Sequence, residues 1–375
     1  MNPRDEPPRK VLMTADAVGG IWTFSLELAR ALTAKGIGVV LAVMGPPPSL
    51  VDRREAGDVE GIELHEQPFR LEWMDDPWED LDRAAEWLLQ LESRTGVDLV
   101  HLNGFSLAAR KWQAPVVVVG HSCVLSWWNA TRGVEVPSTW ERYRRSVAAG
   151  LRAASALAAP SRAMLESLRR HYPLPRLRRV VRNGLEPSGF FRGPKECLVL
   201  GVGRLWDEAK NLPALDAAAE TIPWPTVLAG DTSSPDGKEA RLRHARGLGR
   251  LGRAELRALY GRASIFAHPA RYEPFGLAPL EAALSGCALV LGDIPSLREV
   301  WADAAMYVPP DDSGALGHAI RRLALDPAKR DSLARRAIAR ASRYGASAMA
   351  AGYLDLYERA LRSGSSRGGE NRCAS

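Results

Sequence analysis

Twice along its length this chain repeats one alternation: a short, wholly apolar run, a glycine or polar turn, then a segment with apolar residues at helical spacing. In the first half the runs are "KVLMTAD", "IGVVLAVMG", "VDLVHLNG" and "APVVVVGHS". Between them, "IWTFSLELARALTAKG" places Ile21, Phe24, Leu28 and Leu32 on one helical face, and "LDRAAEWLLQLESRTG" reads as a second helix. Runs without a polar alternate belong to strands buried on both faces. The order β-α-β-α then requires a parallel sheet with helices on both sides. After "NGLEPSGFFRGPKE" the alternation restarts with "CLVLGVGRL", "PTVLAGD", "SIFAHPA" and "CALVLGD". A chain of 375 residues exceeds one ordinary core. The expectation is therefore two α/β domains joined near residues 184 to 195, their strand ends facing across a cleft.

Composition narrows the function classes. Apolar residues make up 46% and charged residues 25%, the balance of a soluble globular protein. No apolar run reaches the roughly 18 to 20 residues that span a bilayer, and Asp16 interrupts the apolar stretch near the start, so no signal peptide is expected. Cys123, Cys197, Cys287 and Cys373 have neither pairing nor zinc-like spacing. They read as reduced thiols, and the expected location is cytoplasmic. The net charge of +6 is mostly arginine. It reads as a solvated surface, with attraction to phosphorylated substrates or an anionic membrane as the functional alternative. The basic clusters "ERYRRS" and "PRLRRVVRNG" are short and carry no nucleic-acid motif, so no nucleic-acid partner is expected.

In open parallel sheets ligands bind beyond the carboxyl ends of the strands. Gly19, Gly20, His121, Arg204, Asp231 and Glu273 each follow an expected strand. In "GVGRLWDEAKN" Arg204 leaves a strand end and Lys210 precedes a helix, so a fork and a point charge can reach one diphosphate. A dinucleotide fingerprint fails there, because position 206 is Trp rather than glycine. In "RYEPFGLAPLEAALSG" Pro274, Gly276 and Pro279 delay the next helix, which is expected to begin at Pro279 with Glu281 in its first turn. Phe275, Gly276 and Leu277 then approach a helix N-terminus, whose N–H groups favour phosphate. Adjacent acids in "MDDPWED" and "PPDDS" read as solvated loops, so no metal site is expected.

The segment with Glu273 and Glu281 flanking "PFGLAPL" resembles the E-x7-E stretch of the family 4 retaining glycosyltransferases. "DAVGGIWTFSLELARALTAKG", "GRLWDEAKN", "RNGLE", "DIPSLREV", "MYVPPDD" and "ASAMAAGYLDLYERAL" resemble further stretches of that family. The resemblance implies the GT-B fold, two Rossmann-like domains with parallel sheets. It divides the chain into an acceptor-side domain over 1–188, a nucleotide-sugar domain over 189–345 and a helix over 346–362 that crosses back to the first domain. The small, polar tail over 363–375 reads as disordered. By the same resemblance, Glu281 would hold ribose hydroxyls. Glu273 would contact the transferred sugar and stabilise positive charge there. Arg204 and Lys210 would hold the diphosphate beside backbone N–H groups near Phe275, Gly276 and Leu277. Gly19 and Gly20 would approach the phosphate, and His121 would meet the sugar without needing to act as a base. The sequence departs from the family at Ala270, where Ser is common, and at His268. Neither is expected to touch the chemistry.

Uncharged backbone between two carboxylates suits a nucleotide sugar, which has hydroxyls at both ends and an anion between them. Cations from another loop offset charge on the leaving diphosphate. The expected activity is transfer of a hexosyl group from a UDP- or GDP-sugar to a glycan, lipid-linked or small-molecule hydroxyl, without a metal or other cofactor. Trp127 and Trp128, near several arginines, are candidates for an acceptor platform or for grazing a membrane surface at its inner face. Asp16 is a further acceptor-side candidate. A nucleotide-sugar epimerase of the same fold and a non-catalytic sugar-nucleotide binder are the rival readings.

Overall fold

The computed structural model describes residues 7–233 and 239–369. These form two compact units. The first comprises the chain through Ser126, then Glu135–Gly184 and the stretch from Ala346 onward. The second comprises Trp127–Val134 and Leu185–Gly345.

The first sequence half runs β1 (Lys10–Asp16), α1 (Gly20–Thr33), β2 (Gly38–Met44), α2 (Leu50–Gly57), β3 (Ile62–Glu66), α3 (Trp78–Thr95), β4 (Leu99–Leu102), β5 (Val116–Val119), α4 (Val124–Arg132), α5 (Glu141–Ala153), β6 (Ala156–Ala159), α6 (Arg162–His171) and β7 (Arg178–Val180). Its seven strands form one parallel sheet in the order β3-β2-β1-β4-β5-β6-β7. The four central crossings β1, β4, β5 and β6 are almost wholly buried, as a strand covered by helices on both faces requires.

The second half runs β8 (Glu196–Val202), α7 (Leu212–Ala219), β9 (Thr226–Ala229), β10 (Arg246–Gly247), α8 (Arg253–Arg262), β11 (Ala263–His268), α9 (Leu277–Leu284), β12 (Ala288–Gly292), α10 (Pro295–Trp301), β13 (Met306–Val308), α11 (Ser313–Leu325), α12 (Pro327–Ala341) and α13 (Ala346–Gly369). Six parallel strands take the order β10-β9-β8-β11-β12-β13. Alternate residues of each strand feed opposite faces. Leu198, Leu200, Phe266 and Leu289 join Leu280, Ala283 and Trp301 in one core. Val199, Ile265, Leu228 and Val290 join Leu212, Leu215 and Ile320 in the other.

Three parts of the sequence reading change. Helix α9 starts at Leu277, not Pro279, because Gly276 takes φ 91° as its N-cap. Pro279 then occupies the third helical position, where a missing N–H is still harmless. Glu281 consequently falls in the second turn. The acidic stretch "MDDPWED", read as a loop, is partly helical: Glu79 and Asp80 open α3. No described helix is long and apolar enough to cross a membrane. Of the 363–375 tail read as disordered, residues 363–369 continue helix α13. Cys123, Cys197 and Cys287 are free thiols, while Cys373 and the residues from 370 lie outside the described residues.

Candidate functional site

In the second unit the sheet order reverses between β8 and β11, and such a reversal opens a crevice beyond the strand ends. Arg204 follows β8 there, and His268 closes β11 five residues before Glu273. Backbone and side-chain bonds tie the two loops together. The Arg271 N–H donates to the Ala209 carbonyl at 2.9 Å. Asn211, left-handed at φ 52°, donates its side-chain amide to the carbonyls of Pro269 (2.9 Å) and Pro310 (2.6 Å).

That tie brings Lys210 onto Glu273. The ammonium lies 2.6 Å from Oε2, and His268 donates Nε2–H to the same oxygen at 3.1 Å. Glu273 is 12% exposed and His268 1%. Burial works against ionising Glu273, but the Lys210 charge and the His268 hydrogen bond outweigh it and hold the carboxyl well below its ordinary range. Phe266 stacks on His268 at 6.1 Å between ring centroids, and the Ser296 hydroxyl donates to the Glu273 carbonyl at 2.5 Å. His268, which the sequence reading kept apart from the chemistry, thus hydrogen-bonds the candidate residue Glu273 directly. Its strand was legible, but not that its ring faces a residue five positions on.

Arg204 is held differently. Its Nη2 pairs with Asp207 Oδ2 at 2.6 Å, its guanidinium lies 5.1 Å from the Trp206 ring centroid, and its buried Nε has no hydrogen-bond partner among the described residues. Burial pushes the Asp207 carboxyl up, but the charges of Arg204 and Lys210 overcome this and keep it ionised below the usual range. Sequence reasoning missed Asp207. Its one signal was the i,i+3 spacing from Arg204 in a loop.

Helix α9 begins without a side-chain cap, so its first-turn N–H groups are available to an anion, and Phe275, Gly276 and Leu277 form that approach. A Cβ at Gly276 would lie 3.0 Å from the Pro279 ring and 3.4 Å from the Glu273 side chain. Glu281, one turn further, accepts from the Tyr260 hydroxyl at 3.1 Å. Trp127 and Trp128 group with this unit. Trp127 Nε1 donates to Asp207 Oδ1 at 3.2 Å. Arg132 lies over Trp128 at 4.5 Å and Trp127 at 5.7 Å, and pairs with Glu208 at 2.9 Å.

In the first unit the corresponding reversal lies between β1 and β4. Gly19, at φ 85°, caps α1 without a side chain, and Gly20 is the first residue of that helix. Asp16 is buried and accepts from the Val18 N–H at 2.8 Å, bracing the glycine turn. His121, two residues past β5, lies 2.8 Å from Asn103 Oδ1 through Nε2. Burial, then the neighbouring His101, push His121 down to about 3, and burial pushes His101 to about 4. Among the described residues no group of three or more His, Cys, Asp or Glu is placed to hold a metal ion.

Those imidazoles fix a direction of pH dependence. Unfolded histidine takes up a proton below about 6.5, whereas the folded His121 and His101 do so only near 3 and 4. Their contribution to stability is therefore present above 6.5 and is lost as pH falls toward 4. His171, lowered by burial and by Arg170, adds in the same direction. Glu72, raised by burial, opposes it by at most one proton. Denaturant unfolding at pH about 7.5, 6 and 5 is expected to yield steadily lower stability, with net proton uptake on unfolding. Constant stability across that range contradicts the assignment.

Comparison with known proteins places this geometry. The Glycosyltransferase Family 4 model matches residues 18–188, and the Glycosyl transferases group 1 model matches residues 190–340. A glycogen synthase of Mycobacterium tuberculosis is 34% identical over 177 residues, which cover 42% of this chain and 42% of that protein. The match thus spans less than half of that relative. An alpha-maltose-1-phosphate synthase of the same organism is 29% identical over 265 residues, 59% of this chain and 67% of its own. Among solved structures, a sucrose-phosphate synthase from Thermosynechococcus elongatus superposes with a TM-score of 0.77 at 20% identity, covering 95% of this chain and all of its own. HepE from Anabaena, solved with UDP and glucose, gives 0.71 at 17% identity, over 92% and 98% of the two chains. With both family models matched in order and each sheet built as described, the chain belongs to glycosyltransferase family 4, with two parallel-sheet domains of the GT-B type.

Proposed function

We propose that this protein is a retaining glycosyltransferase that moves a hexosyl group from a nucleotide diphosphate sugar to a hydroxyl acceptor without a metal ion. The observation that carries the reading is the Lys210–Glu273–His268 cluster beside Arg204 and the uncapped start of α9. Arg204 and the α9 N–H groups offset charge on the departing diphosphate, and Lys210 lends its charge to the same end. Glu273, kept ionised, faces the positive charge that develops on the sugar. Glu281 holds the ribose. In the first unit Gly19, Gly20 and His121 serve the donor, and Asp16 the acceptor. Trp127 and Trp128 join the acceptor side.

In the retaining reaction the bond from the anomeric carbon to phosphate oxygen breaks, and a bond to the acceptor oxygen forms on the same face. The acceptor proton passes to the leaving phosphate. No side chain need act as base, which agrees with the low proton affinity that burial gives the His121 imidazole.

UDP-sugars are the first donors to test, since HepE was solved with UDP and glucose. In a melting screen of UDP-, GDP- and ADP-sugars with a chelator present, the true donor at about 100 times its Kd is expected to add about 2.7 kcal/mol of stability. Product anomers read by NMR are expected to match the donor's configuration. A donor that binds only with added divalent metal, or an inverted product, overturns the reading.

A further inference from the structure

The first unit contains a polar cluster, centred on Asn103, that stands behind the His121 of the proposed transfer. Asn103 follows β4. Its backbone N–H donates to Thr14 Oγ1 at 2.9 Å, and its side-chain amide donates to the Thr14 carbonyl (2.6 Å) and Ser25 Oγ (3.0 Å). Both amide hydrogens are thus committed, to β1 and to α1. The amide has one orientation, and its Oδ1 points the other way.

There Oδ1 meets two imidazoles, His121 Nε2 at 2.8 Å and His101 Nε2 at 3.0 Å. A carbonyl oxygen only accepts, so both rings must carry their proton on Nε2. His101 Nδ1 then holds a lone pair, and the buried Tyr357 hydroxyl, 2.5 Å away on α13, donates to it. The proton positions follow one from another: Tyr357 to His101, His101 and His121 to Asn103, Asn103 to Thr14 and Ser25. What packs against the two rings is aromatic: Phe24 of α1 edge-on to His121 at 4.4 Å, Tyr353 of α13 at 5.2 Å from His101, and Tyr357. Neither ring has a hydrogen-bonded carboxylate among the described residues. The half-buried His121 ring is left with an unprotonated Nδ1 that has no partner there.

We propose that Asn103 is a positioning residue that locks His121 in its Nε2–H form, so that His121 Nδ1 presents a hydrogen-bond acceptor selective for a sugar hydroxyl and closed to anions. A lone pair in that place repels phosphate or carboxylate oxygens and takes only a donating group. The assignment rests on the reading above in one respect, that His121 meets the sugar.

The test uses the full chain with 15N-labelled histidine. Long-range proton–nitrogen NMR of the wild type from pH about 5 to 8 is expected to show His121 neutral, with its proton on Nε2, throughout. A proton on Nδ1, or a charged ring at pH 7, overturns the lock without any variant being made. Asn103→Asp replaces the carbonyl by a carboxylate that favours a charged imidazole. His121 or His101 is then expected to titrate between about pH 6 and 8. kcat/KM for the donor should fall about 3- to 10-fold at pH 6 and recover as pH rises, the size of one neutral hydrogen bond. A merely structural role lowers the melting temperature but leaves the pH profile unchanged, and that result overturns the proposal. If the wild-type spectrum is as stated but His121→Ala keeps full turnover and donor KM, the sugar contact is wrong while the tautomer stands, so the two failures are told apart.

Discussion

Lys210→Ala is expected to lower kcat by about 10²- to 10³-fold, the range seen when one preorganised donor is removed from a developing charge. The ammonium sits 2.6 Å from Glu273 at 21% side-chain exposure, in a crevice where its charge is screened less than in water. Its removal has a second consequence. Glu273, 12% exposed, is left with His268 as its remaining side-chain partner in this cluster, and an underpaired carboxylate of this kind destabilises by about 1–3 kcal/mol. The two effects are separable. Adding Glu273→Gln removes the stranded charge, so the double variant should melt above Lys210→Ala while remaining as inactive. Lys210→Arg is not expected to rescue, because a planar fork does not occupy the place of a point charge shared with an imidazole. Steady-state kinetics and melting curves of the four proteins check this. A kcat for Lys210→Ala within about threefold of wild type would falsify the role given to the cluster.

The parts of this site that were legible in the sequence are those whose chemistry is local. Glu273, the Gly276 turn and the start of a helix lie within a few residues of one another, and Arg204 and Lys210 share one loop. His268 and Asn103 were not legible as site residues. Each acts through a ring or amide orientation that depends on other segments: Asn103 on Thr14 and Ser25, and His101 on Tyr357, 256 residues away. The fold shows the same divide. Central strands announced themselves as apolar runs because both faces are covered. The edge strands β3 ("IELHE") and β7 ("RRV") went unread, because each is paired on one side and partly exposed, so its sequence is mixed or basic. Helix α4 was hidden by its composition. "VLSWWNATR" has too few aliphatic residues at helical spacing to stand out, and the segment read as an aromatic platform.

Gly230→Ala is expected to be the most damaging single methyl in the second unit. Gly230 follows β9 at φ 142°, and a Cβ there would lie 1.8 Å from the Gly203 carbonyl oxygen and 2.7 Å from its carbon. Both are backbone atoms, so no rotamer change relieves the overlap. The strand ends must separate, and Gly203 immediately precedes Arg204. The same methyl therefore acts on stability and on the site. A destabilisation of about 3–5 kcal/mol is expected, or roughly 6–20 °C in melting temperature for a unit of this size. Binding of a nucleoside diphosphate should weaken in parallel as Arg204 moves. Gly249→Ala is the matched control: it too has positive φ, 66°, but nothing among the described residues lies within 4 Å of an added Cβ. It should show the conformational penalty alone, about 1–2 kcal/mol. If Gly230→Ala melts no lower than Gly249→Ala, the close approach of the β8 and β9 ends is not what requires glycine at position 230.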